Sequence, residues 1–262
     1  MNQGSWWGEF RFEAGESRCW RLAGLDLRVT RSDREWQIES LRSPLQHEDE
    51  QPWDVVSPAP LPLENAVPGR HLFNRTSPLL RILPAAADRS VVIKPVNPLF
   101  IPGGQSAVLY VSTPLWVQVR TEKEPFPLLD EPVIRPSDTW FGSSPAQGRL
   151  CYGTKVSGRT DLAQLPIRAF RVVTPVSIRN DAQDPMPVER LSMPMPLLDL
   201  YAATDGRLWT PGLLVDRHPG ARQPRVRIDP QMNEAAGVVR LVNRAREQDV
   251  DTLSRMFEHL MN

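Results

Sequence analysis

The stretch SDTWFGSSPAQGRLCYG, residues 137–153, concentrates side chains that could do chemistry. Cys151 could act as a nucleophile and Asp138 could orient a base, but such chemistry needs a base within hydrogen-bond reach of the thiol. The four histidines stand at positions 47, 71, 218 and 259, in no recognisable triad or Cys–His spacing. The Gly-x-Ser-x-Gly nucleophile elbow is absent. The spacing therefore favours a non-enzymatic protein, with a hydrolase-like enzyme using a site near Asp138 and Cys151 as the alternative.

The same stretch also has the pattern of a β-hairpin. Gly142 and Gly148, with Ser-Ser-Pro after the first of them, are turn residues, and DTWF and RLCYG are the two arms. If the hairpin is purely structural, we expect Trp140 and Tyr152 to be largely buried and Cys151 to be a slowly reacting buried thiol. If the stretch contacts a ligand or partner instead, the candidate binding residues are Asp138, Trp140, Phe141 and Cys151.

Metal and cofactor sites find no support in the spacing of the other reactive residues. His71 and His218 have no second ligand at a telling distance along the chain. The acidic triplet at 48–50 lacks the alternating oxygens and the glycine of a calcium loop. Phosphate-loop and dinucleotide motifs are absent as well. We therefore predict no metal and no cofactor.

A second alternative, nucleic-acid binding, rests on an arginine-rich segment at 217–246. The chain as a whole has a formal net charge of zero, so no global field recruits an anionic polymer. The segment also has no aromatic residues interleaved with its basic ones, which weakens the nucleic-acid signal. Its arginines are those at positions 217, 222, 225, 227, 240, 244 and 246.

The elements that must position these residues are predicted to be short strands. The 27 prolines are about twice the average frequency, and proline is disfavoured in helices and in central strands. Apolar and polar residues alternate through residues 9–41 and again through 90–121, with turns between, as in antiparallel sheets with one buried face. Residues 43–70 break this alternation and are predicted to form a long surface loop or an extended connection. The predicted fold class is mainly β, with one or two antiparallel β-sandwich modules and a short helical C-terminus.

The predicted domains are an N-terminal β module at 1–125, a second β module at 126–232 and a helical segment at 233–262. The proline-rich, charged stretch at 122–135 suggests the first boundary. In the last segment, residues 233–247 and 249–262 both have apolar side chains at helical spacing. The second helix is expected to pack on the β body through Leu253, Phe257 and Leu260.

The cysteines and the N-terminus bear on the compartment. Cys19 and Cys151 are far apart and form no CxxC pair, and two cysteines make no disulfide framework in a chain of this length. The N-terminus lacks a basic stretch followed by an apolar one, and no apolar run reaches about 18 residues. We therefore predict a cytoplasmic protein with reduced cysteines and without a transmembrane segment.

Three stretches together resemble one family. They are WWGEF with CWRLAGLDLRVTRSDREWQI at the start, PLFIPGGQSAVLYVSTPLWV in the middle, and SDTWFGSSPAQGRLCYG after it. They are similar to an uncharacterised bacterial and archaeal domain of unknown function that covers nearly the whole chain. The resemblance implies no catalytic residues. Because some relatives of that domain are encoded beside small mechanosensitive channels, the resemblance implies a membrane-channel protein as a partner.

The function that these patterns favour is a non-enzymatic binding or accessory β-sandwich module. Binding is favoured over catalysis because the sequence has no nucleophile–base pair, metal-ligand set or phosphate loop at a recognisable spacing. The partner is expected to be a protein.

Overall fold

The computed structural model describes residues 5–43, 53–57, 62–97, 99–122, 124–142, 148–156, 158–221 and 224–247. Within these ranges the chain forms strands and three short 3₁₀ turns, at Leu162–Gln164, Met195–Leu197 and Glu234–Ala236. The first strands are β1 Gly8–Arg11, β2 Ser17–Leu22, β3 Leu25–Arg31, β4 Glu35–Arg42, β5 Trp53–Val56, β6 Gly69–Leu72, β7 Leu79–Ala85, β8 Val91–Pro95, β9 Leu99–Ile101, β10 Gln105–Pro114 and β11 Trp116–Arg120. The others are β12 Leu129–Pro132, β13 Ser137–Phe141, β14 Arg149–Val156, β15 Arg171–Asn180, β16 Met186–Val188, β17 Leu191–Met193, β18 Leu200–Ala203, β19 Leu208–Trp209, β20 Leu213–Arg217, β21 Arg225–Ile228 and β22 Val239–Asn243.

The strands belong to two compact units that alternate along the chain. The first unit comprises Met1–Ala85 and Leu115–Ile134, and the second comprises Ala86–Pro114 and Arg135–Asn262. The chain passes between them after Pro114, where β10 ends and β11 begins in a different sheet. The domain boundaries predicted from the sequence, at 125 and 232, differ from the limits of these two units. They stay a prediction.

The first unit contains two antiparallel sheets with the strand orders β5-β2-β3-β4-β6 and β1-β7-β11-β12. Aromatic side chains join the two sheets: the ring of Phe10 on β1 meets that of Trp20 on β2 edge to face, with centroids 5.0 Å apart. Phe12 meets Trp36 on β4 in the same geometry at 5.1 Å. Burying these large rings between two sheets is a main source of stability for such a unit.

The described residues of the second unit form three sheets. The largest has the order β21-β20-β15-β19-β18-β22, and β10 also pairs with β15. A four-stranded sheet has the order β13-β14-β8-β17, and β16 pairs with β9 in the smallest. Its apolar core includes fully buried side chains on β10, β15 and β20, such as those of Val111, Val172, Val176 and Leu213.

Pro175 lies inside the long strand β15, where a proline would normally leave a ladder hydrogen bond unmade. Its cross-strand neighbour on β10, Tyr110, exchanges its backbone hydrogen bonds with Arg159 instead. On the other side of β15, β19 pairs with Val172 and Val173, whereas β20 pairs from Val176 onwards. The proline therefore stands where no neighbouring strand requires its missing N–H.

The prediction of a mainly β protein is confirmed, but not every strand pairing is antiparallel. Among the described strands, three pairings are parallel: β14 with β8, and β15 with both β19 and β20. Parallel neighbours are connected through distant parts of the chain, so alternation within a strand does not reveal them.

The helix predicted for residues 233–247 is wrong. Asn233 caps a single 3₁₀ turn at Glu234–Ala236, and Gly237 ends it with φ 61°, a left-handed conformation that favours glycine. The β-branched residues that follow form β22, which pairs with β18. The helix predicted for 249–262, with Leu253, Phe257 and Leu260, lies outside the described residues.

The long loop predicted for residues 43–70 is also partly wrong. Strand β5 at Trp53–Val56 pairs with β2, and β6 begins at Gly69. The acidic triplet at 48–50 lies outside the described residues. None of the helices in the described ranges has the length and apolar character that a membrane span requires.

Candidate functional site

The hairpin predicted for residues 137–153 is confirmed. Strands β13 and β14 pair antiparallel, with Trp140 opposite Leu150 and Asp138 opposite Tyr152. Beyond β14 the sheet continues through β8 and β17, so β13 is an edge strand. The tip of the hairpin, residues 143–147, lies outside the described residues. The candidate site is therefore carried by two strand arms of a regular sheet.

One side of the hairpin is anchored in the protein interior. Phe141 and Cys151 are buried, with 7% and 3% of their surface exposed. Side chains on a strand point alternately to the two faces, so these two residues share the face opposite to that of Trp140. Two of the four candidate binding residues are thus inaccessible to a partner.

The other face of the hairpin carries an exposed apolar pair. Trp140 is 51% exposed and Leu150, directly across from it, is 40% exposed. We call the four residues Asp138, Trp140, Leu150 and Tyr152 the Trp140 face. The expected burial of Tyr152 is confirmed, but that of Trp140 is wrong. In the pair Trp140-Phe141 only one ring can point inward, and a shift of one residue would exchange them.

Ion pairs fix the end of the Trp140 face that is farther from the hairpin turn. The Asp138 carboxylate lies 3.6 Å from a guanidinium nitrogen of Arg89 and 3.3 Å from one of Arg135. The Tyr152 hydroxyl donates a hydrogen bond of 2.9 Å to the Asp88 carboxylate, and Arg89 lies over the Tyr152 ring. Burial is the main reason that the pKa of Tyr152 is raised, and its bond to Asp88 adds to the effect.

Two further arginines, Arg149 and Arg190, lie near the turn of the hairpin. Arg190 donates a hydrogen bond of 3.0 Å to the backbone carbonyl of Trp140, and its guanidinium lies 5.2 Å from the centre of the Phe141 ring. Arg149 is exposed and stands opposite Phe141 on the neighbouring strand. Because side chains alternate along a strand, Arg149 and the guanidinium of Arg190 lie on the Phe141 side of the sheet, opposite to the Trp140 face.

Cys151 is not activated as a nucleophile in this arrangement. Burial raises the pKa of its thiol, and the charges of Arg149, Arg190 and Arg89 offset that rise only in part. The Sγ atom lies 3.4 Å from the backbone carbonyl of Arg149, which accepts from the thiol rather than withdrawing its proton. Cys19 is likewise buried, and both cysteines are free thiols. That the two cysteines form no disulfide in the native protein stays a prediction, for which thiol counting under denaturing, non-reducing conditions is the measurement.

We expect Cys151 to react slowly with iodoacetamide at pH 7, since its raised pKa and its burial both reduce the exposed thiolate. Alkylation followed by peptide mass spectrometry measures the rate at that residue. The rate should increase with pH above 8 and rise sharply once urea unfolds the protein. Labelling of native Cys151 at pH 6–7 faster than that of free cysteine would contradict the structural role and support the hydrolase alternative.

The two histidines within the described ranges, His71 and His218, have no described contact with this hairpin. His218 lies 3.8 Å from Asp181, which also pairs with Arg179, and that pairing is the main cause of a lowered pKa for Asp181. His71 is on β6, opposite Trp36. Across the described ranges no His, Cys, Asp and Glu side chains gather in groups of three or more. The hydrolase alternative stays a prediction, and the described contacts supply no base for it.

The arginine-rich segment at 217–246 is divided over one sheet. Arg225 and Arg227 are on β21, and Arg240 is on β22, at the two ends of the strand order. Arg227 pairs with Asp216 at 2.6 Å, and Arg244 pairs with Asp199 at 3.1 Å. The nucleic-acid alternative likewise stays a prediction, and the observed pairing gives it no single uncompensated face.

Sequence reasoning missed the arginines at 89, 135 and 190. Arg89 precedes β8 and Arg190 precedes β17, so the sheet order brings both to the hairpin from distant parts of the chain. Only Arg135 is close in sequence, three residues before Asp138. Its spacing was the one signal that could have indicated the ion pair.

Comparison with known proteins identifies the family and goes no further. No curated protein and no solved structure matches the chain. The family described as "Protein of unknown function (DUF432)" matches residues 6–262, which confirms the resemblance to an uncharacterised full-length domain. The chain, an all-β protein with an exposed tryptophan on an anchored hairpin, belongs to the DUF432 family.

Proposed function

We infer that this protein is a non-enzymatic binding module that contacts a protein partner through the Trp140 face. The observation that carries this proposal is the 51% exposure of Trp140, beside an exposed Leu150, on a regular strand. Tryptophan and arginine are the residues most enriched among those that dominate the energy of protein interfaces.

The hairpin is preorganised, which lowers the cost of binding. Below the exposed pair, Phe141 and Cys151 are buried. The hydrogen bond from Tyr152 to Asp88 ties one arm to the sheet, and that from Arg190 to the Trp140 carbonyl ties the other. A partner would therefore lose little of its binding energy to ordering this surface.

The reactivity of the site supports binding rather than catalysis. The Asp138 carboxylate is shared by two arginines, and the Cys151 thiol is buried with a raised pKa. Neither group is available as a base or nucleophile in this arrangement. The proposal includes a cytoplasmic location, which two free buried thiols support. A membrane-channel protein as the partner rests on the family resemblance alone.

The proposal predicts that Trp140→Ala strongly weakens partner binding without unfolding the protein. A central tryptophan typically contributes about 2 kcal/mol or more to an interface, roughly a thirtyfold change in affinity. The cost to stability should be within about 1 kcal/mol, because the ring is half exposed and closes no core. Tagged full-length protein expressed in its host, followed by quantitative mass spectrometry of co-purifying proteins, measures the binding.

Phe126→Ala is the matched control, since Phe126 is 78% exposed and belongs to the first unit. Proteins retained by wild type and by the Phe126 variant but lost from the Trp140 variant would support the proposal. Identical sets of co-purifying proteins for all three would refute it.

A further inference from the structure

We propose that residues 248–262 of the same chain cover Trp140 and Leu150 when no partner is bound, so that a partner must displace them. This inference rests on the proposed function and adds the regulation of the same site. The segment and the hairpin both fall within the range Arg135–Asn262 of the second unit. The contact is supported by the place where the described chain ends, by the open part of the sheet and by the apolar residues of the segment.

The described chain ends beside the strands that flank the hairpin. The backbone N–H of Glu247 donates a hydrogen bond of 3.0 Å to the carbonyl of Pro196, which follows β17. Arg246 donates one of 2.8 Å through Nε to the carbonyl of Ala86, which precedes β8. The segment 248–262 therefore starts at the end of the sheet where β8 begins and β17 ends.

The register places Trp140 and Leu150 at the same end of the sheet. One row across β13, β14, β8 and β17 consists of Asp138, Tyr152, Val91 and Met193. Leu150 comes two residues before Tyr152, and β14 runs parallel to β8, so Leu150 and Trp140 lie toward the start of β8. Neighbouring strands are about 4.8 Å apart, so the path along the sheet from β17 to β13 is roughly 15 Å. As a helix, residues 249–262 would span about 21 Å, which is enough to reach the pair.

The exposed pair is the open border of an apolar surface that is otherwise covered. Residues aligned in one row of a sheet point to the same side, so Tyr152, Val91 and Met193 lie on the same side of the sheet as Trp140. All three are buried, whereas Trp140 and Leu150 are exposed. A segment that continues from the covered end of the sheet would extend this cover over the pair.

The segment has apolar side chains that need such a surface. Leu253, Phe257 and Leu260 stand at helical spacing in the sequence. A helix of about twelve residues is marginal in water unless its apolar side is buried. Among the described residues of the second unit, Trp140 is the largest exposed apolar side chain. Packing the segment on Trp140 would remove apolar area from water on both partners.

The test labels the full-length protein with fluorotryptophan and records fluorine NMR spectra. The resonance that is missing from Trp140→Phe identifies Trp140 among the eight tryptophans. We expect Leu253→Ser/Phe257→Ser to shift the Trp140 resonance and to leave the others in place, because the cover over that ring alone is lost. Arg255→Ser is the matched control, since helical spacing puts position 255 on the opposite side of the segment, and it should shift none of them.

Displacement of the segment also predicts a change in partner binding. If residues 248–262 occupy the site about nine-tenths of the time, loss of their contact raises the apparent affinity for a partner about tenfold. Proteins that co-purify in a Trp140-dependent manner should then be recovered in larger amounts, up to about tenfold, with Leu253→Ser/Phe257→Ser than with wild type. Quantitative mass spectrometry of the co-purifying proteins measures this difference.

A Trp140 resonance that does not respond to Leu253→Ser/Phe257→Ser would overturn this inference, and co-purification with Trp140→Ala would then decide the proposed function separately. A response that depends on protein concentration would also overturn it, in favour of a second copy of the chain on the same surface. A shifted resonance with unchanged recovery of the Trp140-dependent proteins would overturn it too, because the segment would then not compete with them. If the other tryptophan resonances show that the double variant is unfolded, Phe257→Ala takes its place.

Discussion

Replacing Trp20 with alanine is expected to lower the free energy of unfolding by about 3–5 kcal/mol, as for other fully buried aromatic residues. Trp20 is fully buried, and its ring lies against those of Phe10 and Phe12. Its indole N–H donates a hydrogen bond of 3.1 Å to the backbone carbonyl of Trp6, so truncation leaves a cavity and also removes this buried hydrogen bond. Urea denaturation followed by circular dichroism measures the change.

Trp20→Phe separates the two contributions, because phenylalanine keeps an aromatic ring but removes the donor. We expect it to cost less, about 1–3 kcal/mol, from the lost hydrogen bond and part of the lost volume. A Trp20→Ala variant as stable as the wild type would contradict the aromatic core described for the first unit.

Substituting Gly103 with alanine is expected to cost about 3 kcal/mol, at the upper end of the range for overpacking. A Cβ at that position would lie 2.2 Å from the backbone carbonyl oxygen of Gln183 and 2.7 Å from that of Ala182. Asn180 holds this backbone in place, since its fully buried side chain donates to the carbonyls of Ile101 and Asp184 and accepts from the N–H of Ala182. The backbone therefore has little freedom to move away from a methyl group.

Gly158→Ala is the control for the loss of a glycine as such, because a Cβ there has only the Leu109 side chain near it, at 3.9 Å. That variant should stay within about 1 kcal/mol of wild type in the same denaturation assay. Equal stability of the Gly103 and Gly158 variants would mean that the close approach of the two segments is wrong.

Patterns within one strand made the mainly β class predictable. Period-two alternation and turn residues located β1–β4 and the hairpin of β13 and β14, because both depend on neighbours in sequence. Pro114 is a sequence signal for the change of partner, since β10 ends there before β11 pairs in a different sheet. The helical spacing of the apolar residues at 238–245 gave the wrong prediction of a helix. Gly237 ends the preceding 3₁₀ turn, and the β-branched residues after it favour a strand.

The candidate site was predictable only in part. The sequence singled out Asp138, Trp140, Phe141 and Cys151, but the faces they occupy depend on the register of β13, which a Trp-Phe pair leaves ambiguous. The arginines around the hairpin come from different parts of the chain. They precede β8, β13 and β17 or follow the hairpin turn, as Arg89, Arg135, Arg190 and Arg149 respectively. Their convergence follows from sheet order, including a parallel pairing, and no local pattern encodes it.

Site-specific photo-crosslinking tests the central claim, binding through the Trp140 face, most directly. A benzophenone amino acid at position 150 leaves Trp140 intact, and the same group at exposed position 167 of the second unit is the control. The account predicts a discrete protein adduct from position 150 in host cells, absent from position 167 and lost when Trp140→Ala is added. No adduct at position 150, or the same adducts from both positions regardless of Trp140, would contradict it.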